Sequence, residues 1–242
     1  MPLRLAFAGF RHGHIYDFLK IAQSRSDIIV TGAAEDDATA AAAAKKHNVE
    51  LTHSSIDALF SDAETFDAVA IGDYFTRRGD IAIRALELGK HVIIDKPVCT
   101  RIDELARIRE LSLKKRLAVG CQLSLRDRPQ FRTLKRLVSE NAIGRVQTVN
   151  FMGQHPLLYG SRDAWYFEDG KHGGTITDIG IHGIDAVQWL LGIPFGDVIA
   201  ARVWNTRLPQ CPSFNVGAQM MLSLADGTGI LGDRSEARRV GK

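Results

Sequence analysis

In the first half of the chain, apolar residues fall in short unbroken runs: LRLAFA at 3–8, IIVTGAA at 28–34, DAVAIG at 67–72, HVIID at 91–95 and RLAVG at 116–120. Runs of this length without polar alternation predict strands buried on both faces. Between them the pattern changes to helical spacing, at 15–24, 81–89 and 101–115. A further helix is expected over the alanine-rich run 38–47, with Asp37 as its cap. Strand and helix alternate throughout, which predicts a doubly wound, Rossmann-type α/β domain with a parallel sheet over residues 1–120.

Beyond residue 120 the order changes. A helix at 127–140 leads to a strand at 145–153, a long loop at 154–172, an apolar helix at 173–192, and strands near 197–206, 214–225 and 228–232. Strands in succession without helices between them predict a largely antiparallel sheet. The second half therefore reads as an α+β domain over 121–233, followed by a tail, 234–242, in which the strand pattern breaks down.

The apolar helix is unusual. GGTITDIGIHGIDAVQWLLG contains no Lys, Arg or Glu, yet it carries Asp178, His182 and Asp185. At about 100° per residue these three and Trp189 share one narrow face. Ile179, Ile184, Val187, Leu190 and Leu191 take the remaining sides. A thin polar stripe on a buried helix must meet partners or a wet cleft. Asp178 and His182 are four apart and can pair with each other, with Asp178 near the helix N-terminus. The alternative is a functional site.

Composition narrows the field. The 31 basic and 28 acidic side chains give a net charge of +3, and the tail RSEARRVGK supplies four of the basic groups and one acidic group. The body is thus electrically balanced, and nucleic-acid binding has no support from charge. No apolar run reaches membrane-spanning length. Cys99, Cys121 and Cys211 are widely spaced and odd in number, which suits a reducing, cytoplasmic setting. The N-terminus enters a strand directly, without signal-peptide layout.

Ligands of doubly wound sheets bind beyond the carboxyl ends of the strands. Three features fall there. The turn Gly9, Phe10, Arg11, His12 and Gly13 offers backbone N–H groups to a pyrophosphate, although Arg11 stands where the usual fingerprint has its second glycine. Glu35 ends the second strand and can take the ribose hydroxyls of NAD while repelling the 2′-phosphate of NADP. Lys96, between Asp95 and Pro97, is pinned at the end of the fourth strand, where a nicotinamide would lie. Together they point to a dinucleotide site that takes NAD in preference to NADP. Metal binding has weak support: the one close histidine pair, His12 and His14, falls inside the phosphate turn.

The chain resembles the Gfo/Idh/MocA family, named for glucose–fructose oxidoreductase and inositol dehydrogenase. The resemblance rests on the glycine turn, the acid after the second strand, GKHVIIDKPVCT, RDRP from Arg126 to Pro129, NAIGRV, and GGTITDIGIHGIDAVQWLLG. It implies hydride transfer between nicotinamide and a hydroxyl of a sugar, polyol or inositol-like molecule. Lys96 would hydrogen-bond the reacting hydroxyl, Asp178 would orient or share its proton, and His182 would act as acid and base. Arg126, His155, Arg162 and Trp165 would line the substrate site together with Asp178 and His182. Departures lie in GDYFTRRGD at 72–80, which brings Asp73 and Tyr74 to the cofactor, and in Asp95, where the family usually has Glu.

Two other functions fit the same motifs: an NAD-dependent glycoside hydrolase, and a non-catalytic sugar or nucleotide sensor. Family members run considerably further and form homo-oligomers, so the second domain is expected to be truncated near Asp233, with an incomplete sheet. The tail RSEARRVGK resembles the translation of a sequencing adapter and is expected to be non-native.

Overall fold

The structure is a computed structural model that describes residues 1–206 and 208–237, with no side-chain description for 236 and 237. It divides into two compact units, Met1–Gln122 and Leu123 onward.

The first unit is a five-stranded parallel sheet in the order β2-β1-β3-β4-β5, formed by β1 Leu3–Ala8, β2 Ile28–Ala34, β3 Ala68–Ile71, β4 His91–Asp95 and β5 Val119–Gln122. The helices between them are α1 His14–Gln23, α2 Ala38–Lys46, α3 Ile56–Ser61, α4 Arg78–Glu87 and α5 Ile102–Lys115. Each face of the sheet has its own core. One packs Ala6, Ala8, Val69, Ile71 and Ile94 against Leu59, Ile81, Leu86 and Ile108; the other packs Leu5, Phe7 and Ala70 against Ile15, Leu19 and Ala44. Burial on both faces is why these strands read as unbroken apolar runs.

Asp37 caps α2 as expected, its carboxylate accepting from Ala40 N at 2.9 Å. Three details differ from the sequence reading. Helix α3 was not anticipated; Ser55 starts it by accepting from Ala58 N, and its six residues are too few to show a period. Strand β5 begins at Val119 rather than 116, because Arg116 adopts a left-handed φ of 56° at the end of α5 and turns the chain. Helix α4 starts at Arg78, three residues earlier than its apolar pattern suggests.

The second unit holds a four-stranded sheet in the order β6-β9-β8-β7, from β6 Thr148–Pro156, β7 Phe195–Trp204, β8 Gly217–Leu224 and β9 Gly229–Ala237. The β7–β8 and β8–β9 pairs are antiparallel and β6–β9 is parallel, so the sheet is mixed but mostly antiparallel. Helix α6 spans Pro129–Ser139, and a π-helical segment, Ile176–Gly180, runs into α7, Ile181–Leu191. One sheet face is covered by the α7 side: Val187 packs with Met220, Leu222, Leu224 and Ile230. The opposite face leaves Met152, Met221 and Leu231 exposed.

Strand ends here also shift. β6 starts at Thr148 and continues to Pro156, so His155 is a strand residue rather than part of the long loop. β9 continues past the expected end at 232, with Arg234 to Ala237 paired to β6. Backbone pairing between two neighbours carries this strand through a polar stretch that side-chain pattern alone does not mark. Residues 238–242, the rest of the tail expected to be non-native, lie outside the described residues.

Candidate active site

The carboxyl edge of the parallel sheet collects ionisable side chains from successive strands. Glu35 follows β2, Asp73 follows β3, Asp95 ends β4 and Lys96 follows it; their exposures are 3%, 0%, 2% and 4%. Gly9 has φ +82°, and a Cβ there would meet the backbone N of Asp73 at 2.7 Å. Only glycine lets the β1 turn pass so close to the chain that follows β3. Arg11 N and His12 N both donate to Gly72 O, at 3.1 and 3.2 Å, which ties the same two segments together.

Glu35 is not the solvated loop acid that an exposed strand end would give. Its Oε2 accepts from Phe10 N at 2.7 Å, and its Oε1 accepts from Asp37 N at 2.9 Å and from the Arg11 guanidinium at 2.9 Å. It therefore braces the phosphate turn. Arg11 also reaches Asp73 at 3.6 Å, and Arg77 bridges Asp73 at 3.1 Å and Asp36 at 2.6 Å. Burial pushes the Asp73 carboxyl up, against the pull of Arg77 and Arg11. In this cluster three carboxylates, Glu35, Asp36 and Asp73, meet two guanidiniums, a local excess of one negative charge.

Asp95 is the second hub. His12 Nδ1 lies 2.6 Å from its Oδ2 and His14 Nδ1 lies 3.0 Å from its Oδ1, while Arg78 donates to Oδ2 at 3.0 Å. The guanidinium of Arg78, with both imidazoles, holds the Asp95 carboxyl well below the usual carboxylate range in spite of burial. His12 is pushed down to about 4, chiefly by burial, against the pull of Asp95. His12, His14 and Asp95 are also the group, among the described residues, whose donor atoms lie close enough to share a cation. Here the buried Arg78 already offsets the carboxylate charge.

Arg78 is a residue the sequence reading missed. It is fully buried and donates to the carbonyls of Asp73, at 2.7 Å, and of Asp95, at 2.9 Å, and to that of Lys96. One side chain thus joins the ends of β3 and β4. Nothing distinguishes it in the sequence from its exposed-looking neighbour Arg77, because both stand in one polar loop. Lys96 Nζ sits 5.7 Å from the centre of the Phe75 ring, and Pro97 follows through a cis bond.

In the second unit the polar stripe of the apolar helix is real, but its two carboxylates are met from outside the helix. Asp178, 1% exposed, lies in the π-helical segment rather than at a cap. Its Oδ2 accepts from Tyr166 Oη at 2.5 Å and from His172 Nε2 at 3.3 Å. His182 comes one turn later on α7 and is half-buried. Asp185, 8% exposed, takes the Arg126 guanidinium in a bidentate pair, with Nε to Oδ2 at 2.9 Å.

The substrate candidates of the long loop gather on the same Tyr166. The Arg162 guanidinium lies 4.3 Å from the Tyr166 ring centre and donates to Pro156 O at 3.0 Å, with His155 Nδ1 at 2.9 Å. Trp165 packs edge-on to Tyr166 at 5.6 Å and is 8% exposed. Arg162, His155, Tyr166, His172 and Asp178 thus form one connected group, whereas Arg126 belongs with Asp185. Tyr166 and His172 as partners of Asp178 were not foreseen. Their approach depends on the fold of the Gly-Gly turn, which sequence spacing does not reveal.

The description "Oxidoreductase family, NAD-binding Rossmann fold" matches residues 3–122, and that of the GFO/IDH/MocA C-terminal domain matches residues 131–232. The chain belongs to the GFO/IDH/MocA oxidoreductase family. Its first unit is accordingly an NAD-binding Rossmann domain. Levoglucosan dehydrogenase of Pseudarthrobacter phenanthrenivorans is 31% identical over 159 residues, which are 63% of this chain and 39% of that protein. Inositol 2-dehydrogenase 2 of Saccharopolyspora erythraea is 28% identical over 141 residues, 58% of this chain and 39% of that one. The chain thus matches less than half the length of these curated relatives. In fold it is similar to an NAD-binding protein from Listeria innocua, with a TM-score of 0.82 at 21% identity, covering 100% of this chain and 69% of the other. Among the described residues, no helix is long and apolar enough to cross a membrane.

Proposed function

We propose that this chain carries the cofactor site and the acid–base residues of an NAD-dependent dehydrogenase that oxidises a secondary hydroxyl of a sugar, polyol or inositol-like molecule. The observation that carries this reading is the carboxyl edge of the parallel sheet. Glu35, Asp73, Asp95 and Lys96 are each at most 4% exposed there. Buried ionisable groups gathered at the ligand-binding edge of such a sheet are characteristic of a working site.

The residues present suit a dinucleotide. Gly9 packs the turn onto the Asp73 backbone, nothing lies within 4 Å of a Cβ at Gly13, and the one-charge negative excess of Glu35, Asp36 and Asp73 over Arg11 and Arg77 opposes a 2′-phosphate. Bound nicotinamide supplies the acceptor for the hydride that leaves the carbinol carbon. Lys96, at the sheet edge of the first unit, supplies fixed positive charge for a developing alkoxide. His182 is the second unit's group for taking a proton, imidazole being the side chain suited to proton transfer at neutral pH. Asp178 is the fixed anion that orients the hydroxyl and the imidazole. The alcohol loses a hydride from carbon and a proton from oxygen, leaving a ketone. His155, Arg162 and Trp165 contact the remaining hydroxyls. Arg126 contributes by holding Asp185. The exposed sheet face of Met152, Met221 and Leu231 suits a homo-oligomer, which light scattering would report.

A panel of polyols, aldoses and sugar acids, assayed for NADH and NADPH formation in the full-length protein, tests this. Lys96→Ala, Asp178→Asn and His182→Ala should each lower kcat by about 10²–10³-fold with the preferred substrate. Aglycone release without net NADH would replace the dehydrogenase by a glycoside hydrolase. An unchanged output in Lys96→Ala would favour a sensor.

A further inference from the structure

We infer that His172 and Tyr166 form a clamp that holds Asp178 as a fixed carboxylate and so leaves the proton transfer to His182. This rests on the dehydrogenase reading for its catalytic consequence, though not for its geometry.

The clamp begins in the backbone. His172 is followed by Gly173 and Gly174, with φ of +82° and +98°, values at which a side chain would be strained. The double-glycine turn folds the chain back so that Gly174 N donates to His172 Nδ1 at 3.1 Å. Two further bonds hold the turn: Asp178 N donates to Gly174 O at 3.1 Å, tying it to the helix start, and the Thr175 hydroxyl donates to Asn215 O, tying it to the segment before β8.

This fixes the tautomer of His172. A ring nitrogen that accepts an N–H bond carries no proton, so the proton of the neutral imidazole sits on Nε2. Nε2–H then donates to Asp178 Oδ2 at 3.3 Å. One imidazole therefore connects the turn, through Nδ1, with the carboxylate, through Nε2. Because Nδ1 is engaged by a backbone N–H, the ring has no route to pass a proton onward. It is a strut and not a relay.

Tyr166 makes the second strut. Its hydroxyl donates to the same Oδ2 at 2.5 Å, and its ring is 1% exposed, packed edge-on against His172 at 4.3 Å and beside Phe214 at 5.7 Å. Two donors on Oδ2 keep a proton off that oxygen, and both bonds are strongest when the group is the carboxylate. They also fix which oxygen can turn elsewhere: Oδ2 is committed to the clamp, and Asp178 acts through Oδ1. The π-helical segment Ile176–Gly180 supports the same aim, since a widened turn changes where its middle residue points. Asp178 is that middle residue. Tyr166 and His172 are positioning residues, acting on the reaction through Asp178.

Four measurements test this in the full chain. In ¹⁵N-edited NMR spectra at neutral pH, the His172 ring, assigned by its loss in His172→Gln, should show a protonated Nε2 and a bare Nδ1; a protonated Nδ1 overturns the clamp whatever the protein catalyses. The Asp178 side-chain ¹³C resonance should keep its carboxylate position to lower pH in the wild type than in Tyr166→Phe, which preserves the ring; coincident titrations overturn it as well. With the preferred substrate, His172→Ala should lower kcat about tenfold with KM changed less than threefold, and His172→Gln, which keeps a donor, should recover most of that loss. The acidic limb of kcat/KM should move to higher pH in Tyr166→Phe. Equal losses in Ala and Gln, or an unmoved limb, count against the clamp. If no substrate in the panel yields NADH, the dehydrogenase reading fails and the two NMR measurements still decide the clamp.

Discussion

The guanidinium of Arg126 closes a bidentate ion pair on Asp185, one end of it half-exposed and the other buried at 46% and 8% side-chain exposure. The pair joins the 3-10 turn Ser124–Asp127 to α7, two segments 59 residues apart. Arg126→Ala leaves a buried carboxylate without its cation, a change that costs about 1–3 kcal/mol. The expected result is a lowered urea midpoint with unchanged m value. Arg126→Ala and Asp185→Asn combined should cost less than the sum of the two. A large rise in KM with unaltered stability would return Arg126 to direct substrate contact.

Gly9→Ala tests the cradle. The new Cβ meets Asp73 N at 2.7 Å while the backbone stays at φ +82°, so strain and overlap act together. The expected loss is about 1–3 kcal/mol of stability. NAD affinity, measured by isothermal titration, should fall at least tenfold, because the displaced segment is the turn proposed to hold the pyrophosphate. Gly89→Ala is the control: it shares the positive φ, at +77°, but has nothing within 4 Å, and should affect stability alone.

Glu35 carries the cofactor prediction. Glu35→Gln removes one negative charge from a pocket whose excess is a single charge, and keeps an acceptor for Phe10 N. Binding of NADP should strengthen relative to NAD by about tenfold or more, since one fewer carboxylate opposes a 2′-phosphate at the proposed site and Arg11 loses one of its two carboxylate partners. Titration of both dinucleotides into wild type and variant reads this directly. An unchanged ratio would mean that Glu35 serves only to brace the turn.

Much of this architecture was legible in the residues because burial leaves a plain trace. Strands covered on both faces must be apolar throughout, and β1 to β4 are within a residue or two of where their runs place them. The parallel pairing of β6 with β9 was not legible, because register between distant strands leaves no local mark. The site divides in the same way. Lys96, Glu35, Asp178 and Asp185 stand out as charges in apolar settings. Arg78, Tyr166 and His172 do not, since each becomes significant only through partners that the fold brings from 5 to 18 positions away.

Acid should weaken the first unit through His12. Its side chain is 14% exposed, and burial, helped by Arg78 and Lys96, holds its pKa at about 4 against the attraction of Asp95. In the unfolded chain the same imidazole titrates near its ordinary value of about 6.5. Between these two values the unfolded state binds a proton that the folded state does not, so the free energy of unfolding rises with pH. Stability is therefore fully present above about pH 6.5 and declines as pH falls toward 4, by on the order of 1–3 kcal/mol. Asp95, held well below its usual range, adds a separate loss only at more acid pH, as it protonates. His12→Gln keeps a donor for Asp95 but cannot titrate. Its melting temperature should drop less than that of the wild type between pH 7 and pH 4.5, and a drop as large as the wild type's would show that His12 is already charged in the fold.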